Sequence, residues 1–294
     1  MATKAQQQKF INTADEHQQQ IIKLLRAVAC YRGLDQTWSD WVEMGAIAIA
    51  NAVDKAQFEQ REKRYLEIVA QYQKEEVSNL VKAFAHLVQC WEKRVATGEF
   101  SDVLGSTFMM MGMGNASTGQ FFTPYEVSRL MAGMLMADHN AHQAQLKQQG
   151  FITLQEPACG AGGMVVAAIH ALVDSGINYQ QALHVTAIDI DRRCVHMTYL
   201  QLALLHVPAI IIQGNALLLE VFETWYTPAH ILGGWSSRLR EQRAVSNVDQ
   251  LLVLRFLTGL GLGAGMPNAT TLLSEYTPER HKSLLVTSMF CGFN

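Results

Sequence analysis

The chain reads as an α/β protein, with a parallel sheet and packed helices over its middle, an α-helical region before it and a hydrophobic helical tail after it. Three observations predict this. From about Phe10 to Thr97 there is no proline, and apolar residues recur at helical spacing. From residue 151 short β-branched runs alternate with longer helical ones in β-α-β-α-β order, which implies parallel strands joined by crossover helices. Past about Glu241 the composition becomes apolar and glycine-rich, with no β-α continuation. The boundaries drawn from this are 1–100, 101–240 and 241–294.

In the first region Ile21, Leu24, Leu25 and Val28, and again Tyr65, Ile68, Val69 and Tyr72, mark the inward faces of helices. The stretch QREKRYLEIVAQYQKEE reads as a solvated helix face or a face for a partner helix. Glycine, serine and asparagine break the rhythm over 98–124, a connector carrying a loop, in which Met109, Met110 and Met111 read as adaptable packing. A helix follows Pro124. FITLQE, LHVTAID and AIIIQG are then strands, and GGMVVAAIHALVDSG and RRCVHMTYLQLALLH the helices between them.

With 294 residues, 49% hydrophobic and 17% charged, the chain can bury a sizeable core. Its formal net charge of −3 excludes a global basic footprint, so any nucleic-acid contact is local or shared with a partner. The five cysteines are scattered and never spaced C-x-x-C, which argues for reduced thiols and against a disulfide framework or zinc site. The ten histidines form no ligand pattern, and no metal is assigned; His139 and His142 read as solvated at a helix end. The polar N-terminus lacks a secretory apolar core, so a cytoplasmic setting is expected.

The segment EPACGAGG, residues 156–163, stands where a strand hands over to a helix. Each glycine costs about 1 kcal/mol relative to alanine in a helix, so helix stability is not its purpose. A bare turn at that place sets backbone N–H groups and the positive helix end against a ligand. An acid ending the next strand would meet ribose hydroxyls, and Asp189 ends LHVTAID. Close helix–strand packing is the competing reading of the same glycines.

TGQFFTP (118–124), EPACGAGGM (156–164) and AIDID (187–191), in that order and with DVLG (102–105) upstream, resemble the motifs of adenine-N6 DNA methyltransferases related to the modification subunits of type I restriction systems. The resemblance covers roughly residues 100–215 and implies an incomplete Rossmann-like sheet that binds S-adenosylmethionine. Carried over by residue, it puts Phe121, Thr123 and Pro124 in a loop over the cofactor's methionine part. Glu156, Ala158, Gly160 and Gly162 would form the turn beneath it. Glu156 replaces the family's usual aspartate and keeps an acceptor for the ammonium group. Asp189 would hold the ribose, and Asn215 would stand where an aspartate usually lies near the adenine amino group, its amide carbonyl still an acceptor. The resemblance also implies DNA as substrate and a specificity or other restriction–modification subunit as partner.

The departure from the family is an absent Asn-Pro-Pro-aromatic motif, whose acceptors bind the target amino group while the aromatic ring stacks on the flipped base. The stretch in its place is FETWYTPAHILGGW. Trp225 or Tyr226 could stack on a base and Pro228 stands in roughly the right place, or the Trp-Tyr pair packs at a sheet edge. Residues 251–294 resemble instead a fragment of major-facilitator aromatic-acid transporters, in RFLTGLGLGAGMPN and SEYTPERHKS. One and a half helices form no transport path, so a fusion, natural or from gene rearrangement or assembly, is inferred. Three readings stand: a methyltransferase-like protein, a cofactor- or DNA-binding remnant acting as partner or decoy, and a membrane-associated fragment through residues 251–294.

Overall fold

The computed structural model describes residues 14–30, 32–113, 122–136 and 139–243, all within one compact unit. Four helices come first: α1 (Glu16–Val28), α2 (Leu34–Val53), α3 (Phe58–Val69) and α4 (Lys74–Thr97). Helix α1 starts where the Asp15 carboxylate accepts the His17 N–H at 2.9 Å. A capping box between Gln73 and Glu76 opens α4, and Gly98, in the left-handed region at φ 73°, ends it. Helix α2 is the spine of the region, burying Trp38, Trp41, Val42 and Ile47. A Cβ at its Gly45 would lie 2.9 Å from the Phe84 ring and 3.3 Å from Leu200, so only glycine admits this closeness to α4 and to α10, described below.

Helix α5 (Val103–Met110) crosses to the sheet region, and α6 (Tyr125–Leu135) and α7 (His139–Gln149) precede the first strand. Strand β1 (Ile152–Glu156), helices α8 (Gly163–Asp174) and α9 (Tyr179–Ala182), strand β2 (Leu183–Asp189), helix α10 (Arg192–Leu204) and strand β3 (Ala209–Asn215) then alternate. The three strands fall where the β-branched runs predict them. Sheet order is β1-β2-β3-β4, with the first two pairings parallel. Val185, Ala187, Ala209 and Ile211 are fully buried.

The expectation of a parallel sheet is corrected at one edge. Strand β4 (Glu220–Tyr226) turns straight back from β3 and pairs with it antiparallel, because a connection of a few residues can only make a hairpin. Short helices α11 (Pro228–Leu232) and α12 (Trp235–Arg243) complete the described chain. The first helices hold β4 from its side. Arg61 on α3 is buried, pairs with Asp54 at 2.9 Å, donates to the Thr224 carbonyl at 3.2 Å and lies 3.9 Å from the Trp225 ring. Among the described residues no helix is long and apolar enough to cross a membrane. The hydrophobic tail expected over 241–294 lies outside the described residues beyond Arg243.

Candidate functional site

Parallel pairing sets Glu156, the last residue of β1, opposite Ala187, so β1 and β2 leave the sheet at the same end. The turn 157–162 hangs between them. Cys159 donates its N–H to the Ile188 carbonyl at 2.9 Å, and Gly160 donates to Asp189 Oδ2 at 2.8 Å. The Gly162 N–H closes the turn on the Cys159 carbonyl at 2.7 Å, and Gly162 then caps α8. Gly160 at φ 53° and Gly162 at φ 91° occupy the left-handed region that other residues enter only with strain. Space forbids a side chain as well: a Cβ at Gly160 would lie 3.0 Å from the Phe122 ring, and one at Gly162 would lie 3.2 Å from Thr198 Oγ1.

Two carboxylates flank this turn. Burial pushes the Asp189 carboxyl up to about 6, against the opposing pull of the Asp191 and Gly160 N–H groups. Burial also raises Glu156, which accepts the Ala158 N–H at 3.2 Å, and the neighbouring Asp189 charge raises it further. The Cys159 thiol is driven well above its ordinary range by burial, which makes it a packing group and not a nucleophile. Among the described residues no group of three or more His, Cys, Asp and Glu side chains could hold a metal ion.

The other expected site residues divide by position. Phe121 lies outside the described residues. Thr123 and Pro124 are exposed, and Pro124 leads into α6. Their neighbour Phe122 reaches the turn. Asn215 stands at the matching end of β3, but its carbonyl oxygen accepts the Leu217 and Leu218 N–H groups at 3.0 and 3.2 Å, so that acceptor shapes the hairpin.

The candidates of the Trp-Tyr-Thr-Pro stretch are corrected. Antiparallel pairing sets Tyr226 against Ile210, so Trp225, Tyr226 and Pro228 stand at the opposite end of the sheet from the glycine turn. Trp225 is 2% exposed, enclosed by Arg61, His196 and Tyr199. It has no free face for a base. Thr227 is fully buried, donating to the Val207 carbonyl at 2.7 Å and accepting the Ala209 N–H at 2.9 Å. At that end His184 and His230 share a hydrogen bond of 2.9 Å beneath Trp235, and burial holds them neutral, at about 3 and about 4.

Several residues at the turn escape sequence reasoning. Thr198 and Gln201 on α10 bind the Gly160 and Ala161 carbonyls at 2.9 and 2.6 Å. In RRCVHMTYLQLALLH they look like ordinary polar interruptions of an apolar helix. Asp102 of the DVLG segment accepts from Gln201 at 2.9 Å, and the motif itself was the available signal.

The family model described as N-6 DNA Methylase matches residues 99–231, which include the DVLG segment, the turn and all four strands. The C-terminal residues match different proteins. Over 49 residues the chain is 96% identical to the 4-hydroxybenzoate transporter PcaK of Pseudomonas putida, covering 17% of this chain and 11% of that protein. It is 62% identical over 48 residues to the gallate transporter of Pseudomonas putida, covering 16% of this chain and 11% of that protein. It is 50% identical over 44 residues to a benzoate transport protein of Acinetobacter baylyi, covering 15% of this chain and 9% of that protein. The chain thus spans about a tenth of the length of the transporters it matches. It joins an N-6 DNA methylase-like domain, with its glycine turn and acid-ended second strand, to a C-terminal fragment similar to aromatic-acid transporters.

Proposed function

We propose that this chain binds S-adenosylmethionine at the end of its sheet where the glycine turn and Asp189 meet, as a Rossmann-like member of the adenine-N6 DNA methyltransferase class acting in the cytoplasm. One observation carries the reading: two parallel neighbours end together, one in a turn that excludes side chains and the other in a half-buried carboxylate hydrogen-bonded to that turn. The residues fit the cofactor. Asp189 spends one lone pair on Gly160 and one on Asp191, which leaves each oxygen able to accept from a ribose hydroxyl. Glu156 suits an ammonium group, and the Ala161 N–H suits a carboxylate.

When bound, S-adenosylmethionine supplies an electrophilic methyl group. The chain's part is to orient it, with Phe122 and the exposed Thr123–Pro124 segment at the mouth of the turn. For transfer to adenine an acceptor must hold the target amino group. Trp225, Tyr226 and Pro228 are at the wrong end of the sheet to help, and the Asn215 carbonyl is engaged in its own turn. We therefore assign this chain cofactor binding, with the acceptor and the DNA contacts coming from a partner subunit of a restriction–modification type system.

Calorimetric titration of S-adenosylmethionine into the full chain, with Asp189→Ala alongside, tests the reading. Micromolar binding that the substitution abolishes would support it. A folded protein that binds nothing would end it. A methyl-transfer assay on adenine-containing DNA then separates the assignments, because turnover by the chain alone would show that it carries its own acceptor.

A further inference from the structure

The glycine turn is held from beneath by a polar arrangement that the cofactor reading does not use. Gln201 is fully buried in the middle of α10, and all of its hydrogen-bonding capacity is spent. Its amide nitrogen donates to the Ala161 carbonyl at 2.6 Å and to Asp102 Oδ1 at 2.9 Å. Its amide oxygen accepts the Val103 and Leu104 N–H groups at 3.1 and 3.2 Å, the orphan donors of the first turn of α5. Asp102 caps the same helix by accepting the Gly105 N–H at 2.8 Å, and it presses on the turn, since a Cβ at Gly163 would lie 2.8 Å from its Oδ2. Burial raises the Asp102 carboxyl, opposed by the Gln201 and Gly105 donors. One turn away on α10, Thr198 donates to the Gly160 carbonyl at 2.9 Å.

These bonds fix the direction of two peptide planes. In a trans peptide the carbonyl and the following N–H point opposite ways. With the Gly160 carbonyl drawn toward Thr198, the Ala161 N–H is aimed away from α10, and it makes no hydrogen bond among the described residues. The Ala161 carbonyl is drawn to Gln201 in the same direction, so the turn cannot flip without breaking both.

We propose that Gln201 is a positioning residue: it locks the glycine turn in the conformation that presents the Ala161 N–H to an anionic group of the cofactor, and through Asp102 it makes the DVLG segment part of the same lock. The proposal rests on the cofactor reading above for the identity of the ligand, and on geometry alone for the lock.

The full chain carrying Gln201→Glu, Thr198→Val or the reciprocal pair Asp102→Asn with Gln201→Glu separates the two. Backbone amide exchange over residues 158–163, relative to wild type at the same pH, reads the lock without ligand, and S-adenosylmethionine affinity relative to wild type, from pH 5.5 to 8, reads its consequence. In Gln201→Glu two carboxylates face each other at pH 8. Exchange at the turn should quicken about tenfold or more and affinity fall by a similar factor. Both should recover in part as the pH falls, because the protonated new carboxyl regains a donor for the Ala161 carbonyl. The reciprocal pair at pH 8 should relieve the repulsion between positions 102 and 201 yet keep fast exchange at the turn, since the carboxylate now at position 201 has no donor for that carbonyl. Thr198→Val should quicken exchange at the turn without any pH dependence. Folded variants with unchanged exchange, or a reciprocal pair that restores slow exchange at the turn at pH 8 without a donor for the Ala161 carbonyl, would overturn the proposal. Wild-type protein that shows the exchange pattern but binds no S-adenosylmethionine would overturn the cofactor reading and the ligand named here, while upholding the lock.

Discussion

The two ends of the sheet are built on opposite principles. At the end where β1 and β2 finish, backbone is bare, the Glu156 and Asp189 carboxylates are half-buried, and a phenylalanine ring rests on glycine. At the other end aromatic rings are closely packed: Thr227 staples β3 to α11, two neutral histidines share a hydrogen bond, and Trp225 is enclosed by Arg61, His196 and Tyr199. The first end has capacity left for a ligand. The second is closed by packing, and of the two readings of the Trp-Tyr-Thr-Pro string, a base-stacking remnant or packing at a sheet edge, the buried Trp225 fits the second.

The contrast can be broken most forcefully at Trp225. Trp225→Ala should cost about 3–5 kcal/mol of stability, as for other large truncations in a core, and leave the S-adenosylmethionine affinity of the folded fraction nearly unchanged; chemical denaturation and calorimetry read the two quantities. Acid should attack the same end next. His184, His196 and His230 are held neutral with values of about 3, 4 and 4. Below pH 6.5 the unfolded chain takes up protons that the folded one refuses, so stability is lost as pH falls from there. Asp189, raised to about 6, works the other way, but one carboxyl is opposed by three histidines. A net loss on the order of 2–4 kcal/mol between pH 7 and 5 is expected in denaturation curves.

At the opposite end Gly160→Ala should reverse the signature, with a stability loss of about 1–2 kcal/mol from the left-handed backbone and the Phe122 contact, and a larger proportional loss of cofactor affinity. With S-adenosylmethionine bound as proposed, affinity should also weaken as the pH falls through about 6, approaching about tenfold per unit, because its ribose hydroxyls would donate to the ionised Asp189 carboxylate. The smallest effect belongs to Tyr226→Phe, for which less than a twofold change in affinity is expected. A tenfold change there would mean that the far end of the sheet communicates with the turn.

How much of this was legible depended on whether a signal is local. The three parallel strands and the glycine turn are written in contiguous residues, and so is Asp189, whose place at the end of LHVTAID follows from strand length. Strand β4 was hidden because its burial does not alternate cleanly; Val221 and Phe222 stay exposed and only Trp225 is buried. Gln201 and Asp102 meet across 99 positions, and no periodicity shows that a helix glutamine will have all its bonds satisfied by a distant turn. Phe122 reaches the turn although nothing in the local pattern sets it apart from its neighbours.

The grip of Arg61 on β4 bears on heredity as well as stability. With Gln57 it occupies the outward carbonyl of Thr224, on a strand that would otherwise offer free backbone groups to any passing chain. The first helices are therefore not a detachable preface to the methylase-like segment. A recombination event that kept the turn and Asp189 but replaced α3 would release a sheet edge open to pairing with other chains. Each of these contacts is made between residues that precede α12, and it is beyond α12 that the transporter-like sequence is found.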